Sequence, residues 1–449
     1  MDKIMIPHGA QEILETLQFN GYEAYVVGGC VRDSLLGVEP KDWDICTSAI
    51  PSRILYSFRD KRVIETGLKH GTVTVVMDDG QYEVTTFRVD GDYSDHRHPD
   101  SVNFTESLRE DLARRDFTIN AMAYSEKTGL VDPFGGAQDL KRKVISCVGN
   151  PNDRFSEDAL RILRALRFAS TYQFDIDNRT SKAIHSKADT LNEIAAERIR
   201  VELCKLLSGK GVLCVLMDYS DVIATIIPEL RPCIGFEQNN RYHQYTVYNH
   251  IAHAVENYKG NDDVVNVALL LHDIGKPLCY TEDERGGHFH GHGVVSHDIA
   301  EVVLDRLRFD NKSKADILEL VLYHDSVIEP APRVVKRWLN KIGEVQFLRL
   351  MDIRIADILA HAVDTQQSRI ERHHALVQIE KNVIEEEQCF KLKDMNINGK
   401  DLIEIGVPEG KRVGMILDAL LESVISGYIP NDHDILVWCA KMLILVGGA

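Results

Sequence analysis

The sequence predicts an α+β protein in which a head of mixed strands and helices precedes a long helical body. Three observations carry that expectation. Strand-like runs fall in roughly the first 145 residues, helical periodicity continues almost unbroken from about residue 150, and residues 241–300 hold 8 of the 18 histidines, which marks a separate module.

In the head, residues 8–20 read as an amphipathic helix with Ile13, Leu14 and Leu17 on one stripe. Glu23–Val27 reads as a buried strand running into Gly28-Gly29. Val63–Glu65, Val73–Met77 and Tyr82–Phe87 are strand-like, with Asp78-Asp79-Gly80 as a hairpin turn. Asn103–Arg115 reads as the approach to a helix, and Ala121–Ser125 and Leu130–Val131 as short strands.

The chain has 449 residues, of which 44% are hydrophobic and 27% charged, with a net charge of −17. Two to four domains at ~100–200 residues each are expected, and wholesale disorder is excluded. A simple polybasic nucleic-acid binder is excluded as well. Residues 101–200, however, carry 16 basic against 15 acidic residues, so a local phosphate-binding face is compatible with an acidic chain. The nine cysteines form no C-x-x-C pair and fit a reducing compartment. The N-terminus lacks the apolar core of a signal peptide, and no run of ~18 apolar residues is free of charge. The expectation is a cytoplasmic protein without a membrane partner.

The sharpest motif is Gly28-Gly29-Cys30-Val31-Arg32-Asp33 followed by Asp42-Trp43-Asp44. Paired glycines let the backbone approach a polyphosphate closely, and Arg32 offers a charge-assisted bond to phosphate. Alternation along a strand sends Asp42 and Asp44 to one face, where they repel unless a cation joins them. Mg²⁺, with oxygen ligands and substrate phosphates, is the natural choice. Glu83 on a neighbouring strand is the candidate third carboxylate, completing a site that activates an attacking hydroxyl and steadies a leaving pyrophosphate.

These residues resemble the DNA polymerase β superfamily of nucleotidyltransferases. More narrowly, they resemble the bacterial class II tRNA nucleotidyltransferases (CCA-adding enzymes) and the related poly(A) polymerases. Further motifs follow in order: Arg114–Met122, Asp132–Gly136, Glu157–Arg161 and Ala196–Ile199. The resemblance implies that Arg115, Asp116 and Asn120 lie in the ribose-recognition motif and that Asp158 and Arg161 select the base. A carboxylate accepts from an exocyclic amine and a guanidinium donates to a ring nitrogen or carbonyl. Such a pair suits cytosine and adenine and rejects uracil and guanine. Three-residue spacing puts Asp158 and Arg161 on one helical face, and Arg164 and Arg167 continue it toward phosphate or the tRNA end. Asp116 has an alternative use as a cap of the next element. Asp90–Pro99 corresponds to the family's loop for switching from C to A addition, and its full length favours complete CCA addition.

His250, then His272-Asp273, then Asp357 resemble the order of an HD phosphohydrolase domain, an all-helical site for a divalent metal of unknown identity. His292 and His324 are candidates for a second metal. Relatives with such a domain imply hydrolysis of 2′,3′-cyclic phosphates.

The expected organisation is a polymerase β-like head at 1–145, a helical neck and body at 146–235, an HD domain at 236–385 and a tRNA-contacting tail at 386–449. The expected partners are the tRNA 3′ end, CTP and ATP, and not DNA. Poly(A) polymerase, a CC-adding or A-adding partial enzyme, and an HD phosphohydrolase with a binding-only head remain as alternatives. A basic tail would favour poly(A) synthesis, but residues 401–449 hold 3 basic and 7 acidic residues.

Overall fold

The structure, a computed structural model, describes residues 3–91, 101–386 and 388–446. Most of the Asp90–Pro99 loop therefore lies outside the described residues. Two compact units divide the chain: residues 1–231 with 306–309, and residues 232–305 with 310–449.

The first unit opens with α1 (His8–Phe19), whose buried Ile13, Leu14 and Leu17 face the sheet side. Then come β1 (Ala24–Val27), α2 (Gly29–Leu35), β2 (Ile45–Thr47), α3 (Pro51–Ser57), β3 (Arg62–Ile64), β4 (Thr72–Met77) and β5 (Gly80–Thr86). β6 (Arg88–Asp90) pairs with β7 (Val102–Phe104), and α4 (Leu108–Ala113), β8 (Ala123–Ser125) and β9 (Gly129–Val131) complete the head's sheet region. The mixed sheet has seven strands in the order β3-β4-β5-β2-β1-β8-β9, and β2–β5 is its parallel pair. β1 is buried along its whole length, as expected of a central strand, whereas β4 alternates. The hairpin turn at Asp78-Asp79 is present, with Met77 opposite Gly80.

One expected element differs. Asn103–Arg115 is a strand end followed by α4, which starts where Ser107 accepts the Glu110 amide.

The unit continues through α5 (Gly136–Arg142), β10 (Val144–Ile145), α6 (Pro151–Glu157), α7 (Leu160–Tyr172), β11 (Asp175–Ile176), α8 (Asn178–Lys187), α9 (Ala196–Leu207), α10 (Val212–Asp218) and α11 (Ser220–Ile226). α7 packs on α9, and Leu163, Leu166, Leu203 and Leu207 on these helices are all buried.

The second unit is helical apart from one hairpin, β12 (Thr281–Asp283) with β13 (Gly286–His288). Its helices are α12 (Val247–Asn257), α13 (Asp263–Leu271), α14 (His292–Arg306), α15 (Asn311–Tyr323), α16 (Pro332–Leu359), α17 (Gln367–Glu385), α18 (Gly399–Glu404), α19 (Lys411–Ile425) and α20 (His433–Val446). Thr246, Asp262 and Asp310 cap α12, α13 and α15. α16 is two helical pieces, because Gly343 leaves the helical region at φ 79°, ψ 165°. The piece before Gly343 meets α19 through Arg337 Nε, 2.8 Å from Glu422 Oε1. No helix among the described residues is long and apolar enough to cross a membrane.

Candidate functional site

In the head, the strand end, the glycines and the carboxylates meet at the edge where β1 stops. Gly28 turns the chain at φ 79°, and its amide donates to the Met122 carbonyl at 3.1 Å. A Cβ there would lie 2.9 Å from Arg115 Nη1, so glycine is needed both for the conformation and for the close approach of that guanidinium. At Gly29 a Cβ would meet Arg32 Nη2 at 3.5 Å.

Asp42 and Asp44 do not lie within a strand as expected. β2 begins at Ile45, and the pair sits on the extended segment leading into it. The reason is the turn at Gly28: β1 ends at Val27, whose amide donates to the Asp44 carbonyl at 2.9 Å, so the preceding residues outrun their partner strand. The register relates Asp44 to the third carboxylate. Ile45 is paired with Val84, which puts Asp44 level with Glu83 on the adjacent strand. Burial raises the Asp44 pKa, Arg115 opposes it, and the like charges of Glu83 and Asp42 raise it further. Three carboxylates that repel one another, all with oxygen donors, fit a hard divalent cation.

Arg115 joins these pieces. Its Nη2 is 3.4 Å from Asp111 Oδ2, and its buried Nε has no partner among the described residues, a donor available to a phosphate. Asp111 is fully buried and also accepts from Arg114 Nη2 at 2.8 Å. It was not singled out from the sequence. Its signal is the i, i+3 and i, i+4 spacing to Arg114 and Arg115.

Arg32 is only 7% exposed and turns inward. It donates to Asp33 at 2.9 and 3.0 Å and to Asn120 Oδ1 at 2.6 Å, and lies over the rings of Phe168 and Tyr172. Asn120 donates in turn to Asp116 Oδ1 at 3.0 Å, and Asp116 Oδ2 receives Arg164 at 2.8 and 2.6 Å. Asp116 also accepts the Phe117 amide at 2.8 Å. Burial pushes the Asp116 pKa up, but Arg164 and Asn120 outweigh it and lower it to about 2. Arg32, Asn120, Asp116 and Arg164 therefore form one continuous chain from the glycine turn to α7.

Asp158 is not on a helix with Arg161. It lies in extended backbone (φ −140°, ψ 102°) between α6 and α7, because its Oδ1 accepts the Leu160 amide at 3.0 Å and breaks the helix. Its Oδ2 receives Arg198 at 3.1 Å. Arg161, on the first turn of α7, donates to Glu157 at 2.6 Å and to the Arg114 carbonyl at 3.2 Å. Arg164 and Arg167 flank Phe168, and Arg167 Nε lies 2.7 Å from the buried Glu202. These arginines form an internally paired stripe instead of a solvated one. Glu202 was missed from the sequence, although a glutamate three residues after Ile199 and four before Leu206, on an apolar helical face, was a visible signal.

In the second unit, α12, α13, α14, α15 and α16 bring their histidines and carboxylates to one point. His250 Nε2 lies 2.9 Å from Asp357 Oδ1 and 3.3 Å from Asp273 Oδ2. His272 Nε2 lies 3.2 Å from Asp273 Oδ2. On the other carboxylate oxygen, Asp273 Oδ1 lies 3.3 Å from His292 Nε2 and 3.6 Å from His324 Nε2. Donor atoms of His250, His272, Asp273 and Asp357 fall within 4.8 Å of one another, as do those of Asp273, His292 and His324. A third such group, His243, His250 and His361, adjoins the first. Among the described residues Asp42, Asp44 and Glu83 form no group this tight.

The ring orientations explain the design. Nδ1 of His272, His292 and His324 sits 2.7, 2.8 and 2.7 Å from the carbonyls of Leu269, Phe289 and Val321. A carbonyl only accepts, so each Nδ1 carries the proton and each Nε2 presents its lone pair inward. His292 Nε2 faces His324 Nε2 at 3.0 Å, and the buried His272 Nε2 and Asp273 Oδ2 make no well-aligned hydrogen bond among the described residues, close as their neighbours lie. Burial lowers the His272 pKa, but Asp273 and Asp357 reverse this and raise it. Converging lone pairs, orphaned polar atoms and an attraction for positive charge fit divalent cations. Lys276, not singled out from the sequence as a site residue, is 5% exposed and places Nζ 2.6 Å from Asp273 Oδ2.

A family model described as the Poly A polymerase head domain matches residues 24–146. A second, "Probable RNA and SrmB- binding site of polymerase A", matches residues 173–234, and a tRNA nucleotidyltransferase domain 2 model matches residues 293–440. A CCA-adding enzyme of Ligilactobacillus salivarius is 35% identical over 444 residues, covering 97% of this chain and 96% of that one. The chain belongs to the CCA-adding enzyme family of tRNA nucleotidyltransferases. The crystal structure of the Bacillus stearothermophilus CCA-adding enzyme in complex with CTP matches with a TM-score of 0.74 at 30% identity, over 99% of this chain and 100% of that one. The Thermotoga maritima CCA-adding enzyme complexed with tRNA shares the fold, with a TM-score of 0.62 at 22% identity over 98% and 97% of the two chains. The family's mixed-sheet, polymerase β-like head and helical remainder are the fold seen here.

Proposed function

We propose that the head adds C, C and A to the tRNA 3′ end from CTP and ATP, without a nucleic-acid template, and releases pyrophosphate. The observation that carries this reading is the juxtaposition of Asp42, Asp44 and Glu83 with the Gly28 turn and Arg115, whose buried Nε has no hydrogen-bond partner among the described residues. Asp42, Asp44 and Glu83 would hold Mg²⁺, which would supply Lewis acidity and offset the triphosphate charge when bound. Gly28 and Gly29 admit the phosphates to the backbone, and Arg115 donates to them. Asp116 and Asn120 hold the ribose side of the site in register through their chain to Arg32 and Arg164. Asp158 accepts the exocyclic amine of cytosine or adenine while Arg161 donates to the neighbouring ring acceptor. Arg198, bonded to Asp158 Oδ2, fixes the carboxylate against rotation.

The matches to CCA-adding enzymes favour this reading over poly(A) synthesis or partial addition. The corresponding segments are the head at 1–145, neck and body at 146–235, the histidine-rich module at 236–385 and the tail at 386–449. Work on tRNA with nucleoside triphosphates makes the cytoplasm its compartment. The test is incubation with tRNA ending at the discriminator base, Mg²⁺, and each NTP singly and together. Two additions with CTP and three with CTP plus ATP are expected. Long A-tails, or arrest at two with ATP present, would overturn it.

For the second unit the inward-facing Nε2 atoms favour a metal-dependent phosphohydrolase acting on 2′,3′-cyclic phosphates. His250, His272, Asp273 and Asp357 hold one cation, and Asp273, His292 and His324 hold another. The metal's identity is read by hydrolysis of 2′,3′-cyclic AMP after loading with Mg²⁺, Mn²⁺, Co²⁺ or Ni²⁺. Unchanged hydrolysis in His272→Ala would overturn the assignment.

A further inference from the structure

Two cavities reach the histidine–aspartate cluster, and both are lined by His324, Asp325 and Asp357. The larger, about 390 Å³, carries Lys276 and His292. The smaller, about 150 Å³, is lined by Arg354, Arg369, Arg372 and His373. We propose that Arg369 and Arg372, with Arg354 and His373, form a subsite for a second, non-scissile phosphoryl group on the substrate of this unit. The inference rests on the phosphohydrolase reading above and names the kind of substrate that site takes.

Helical spacing builds the subsite. Arg354 and Asp357 lie three apart on α16, and Arg369 and Arg372 three apart on α17, so each pair shares a face. Arg369 Nη2 lies 3.6 Å from Asp357 Oδ2, while Asp357 Oδ1 is turned to His250. Arg354 Nη1 donates to the His324 carbonyl at 3.2 Å. Arg372 Nε donates to the Ile328 carbonyl at 3.4 Å and its guanidinium meets the exposed Glu329. Three guanidiniums, of Arg354, Arg369 and Arg372, line this small cavity beside the carboxylates of Asp325 and Asp357. His373 is 8% exposed, lines the same cavity, and its Nδ1 has no hydrogen-bond partner among the described residues. A space of 150 Å³ holds about five waters at ~30 Å³ each, enough for a phosphoryl group. Three guanidiniums and an unpartnered imidazole nitrogen bring hydrogen-bonding groups for its oxygens to one small space. The larger cavity then takes the nucleoside that carries the scissile group.

The test uses the full chain loaded with Mn²⁺. Inorganic phosphate is titrated calorimetrically into the wild type and into R369Q/R372Q, with metal content measured alongside. Binding in the variant is expected to weaken roughly tenfold or more, the scale of a lost charge-assisted contact, with the metal retained. R369K/R372K, which keeps the charge, should stay within about threefold of wild type by the same argument. Superimposable isotherms for wild type and R369Q/R372Q would overturn the subsite. If the double variant does not fold, R369Q alone carries the comparison. In kinetics, adenosine 2′,3′-cyclic phosphate bearing a 5′-phosphate should exceed the unsubstituted compound in kcat/KM by about tenfold, a preference lost in R369Q/R372Q. Equal values in the wild type would count against it. Hydrolysis of neither compound would remove the phosphohydrolase reading, and the phosphate titration would still decide the subsite.

Discussion

Asp116 and Arg164 join the head to α7 through two hydrogen bonds to one carboxylate oxygen, at 2.8 and 2.6 Å. The residues are 48 positions apart, and Asn120 links the same carboxylate to Arg32. The Arg114–Met122 segment and α7 therefore share one electrostatic tie.

That tie makes stability depend on acid. The Asp116 pKa is about 2 in the fold against an ordinary value of 3.8, so the ionised group is favoured by folding. Its contribution is complete above about pH 4 and is lost as pH falls through about 2, a swing of roughly 2 kcal/mol. Urea unfolding between pH 6 and pH 2 should show this loss, and Asp116→Asn should flatten that part of the profile.

Asp44→Asn should reduce nucleotide addition by ~10²–10³-fold, since several kcal/mol of charge stabilisation at the reacting phosphate is removed. Glu83→Gln should also reduce addition, because it too neutralises one of the three carboxylates. Single-turnover addition of C to a labelled tRNA, across a Mg²⁺ titration, separates the two effects.

Gly28→Ala combines an unfavourable φ with a clash on Arg115 Nη1. A cost of ~1–3 kcal/mol is expected, with KM for CTP raised because the guanidinium is displaced. Denaturant unfolding and initial-rate kinetics measure the two parts. A variant matching wild type in both would contradict the placement of Arg115.

Arg198→Met should relax base choice without abolishing chemistry. Freeing Asp158 Oδ2 lets the carboxylate rotate, so the ratio of CTP to UTP incorporation should fall about tenfold, or ~1.4 kcal/mol. Competition between labelled nucleotides reads that ratio directly.

His292→Ala should remove one bound cation and leave the other, held by His250, His272, Asp273 and Asp357. Elemental analysis of the purified variant gives the count. Saturating metal at ~1,000 times its Kd should stabilise the wild-type unit by ~4 kcal/mol, seen as a chelator-sensitive shift in melting temperature.

Much of the head was legible because its signals are local. Gly28-Gly29, the Asp42–Asp44 spacing and the Asp78-Asp79 turn act through chain conformation within a few residues. Where a side chain competes with the regular backbone, the reading went astray: Asp158 caps α7 instead of riding on it, and Asp42 and Asp44 precede their strand because Gly28 ends its neighbour. Asp111, Glu202 and Lys276 were not singled out because their importance arises from burial beside partners on other elements. The order His250, His272-Asp273, Asp357 was visible, but the shared role of Asp273, one oxygen toward each group of histidines, depends on five helices meeting.

The break at Gly343 divides labour along α16. Residues before it hold α19 through Arg337, whereas residues after it deliver Arg354 and Asp357 to the metal-ligand cluster. A non-helical residue between them uncouples the two jobs mechanically, so a tilt of the leading piece need not rotate the ligand-bearing one. A helix-favouring substitution at position 343 would fuse the two pieces into one rod, so that any strain at α19 would be carried to the histidine–aspartate cluster.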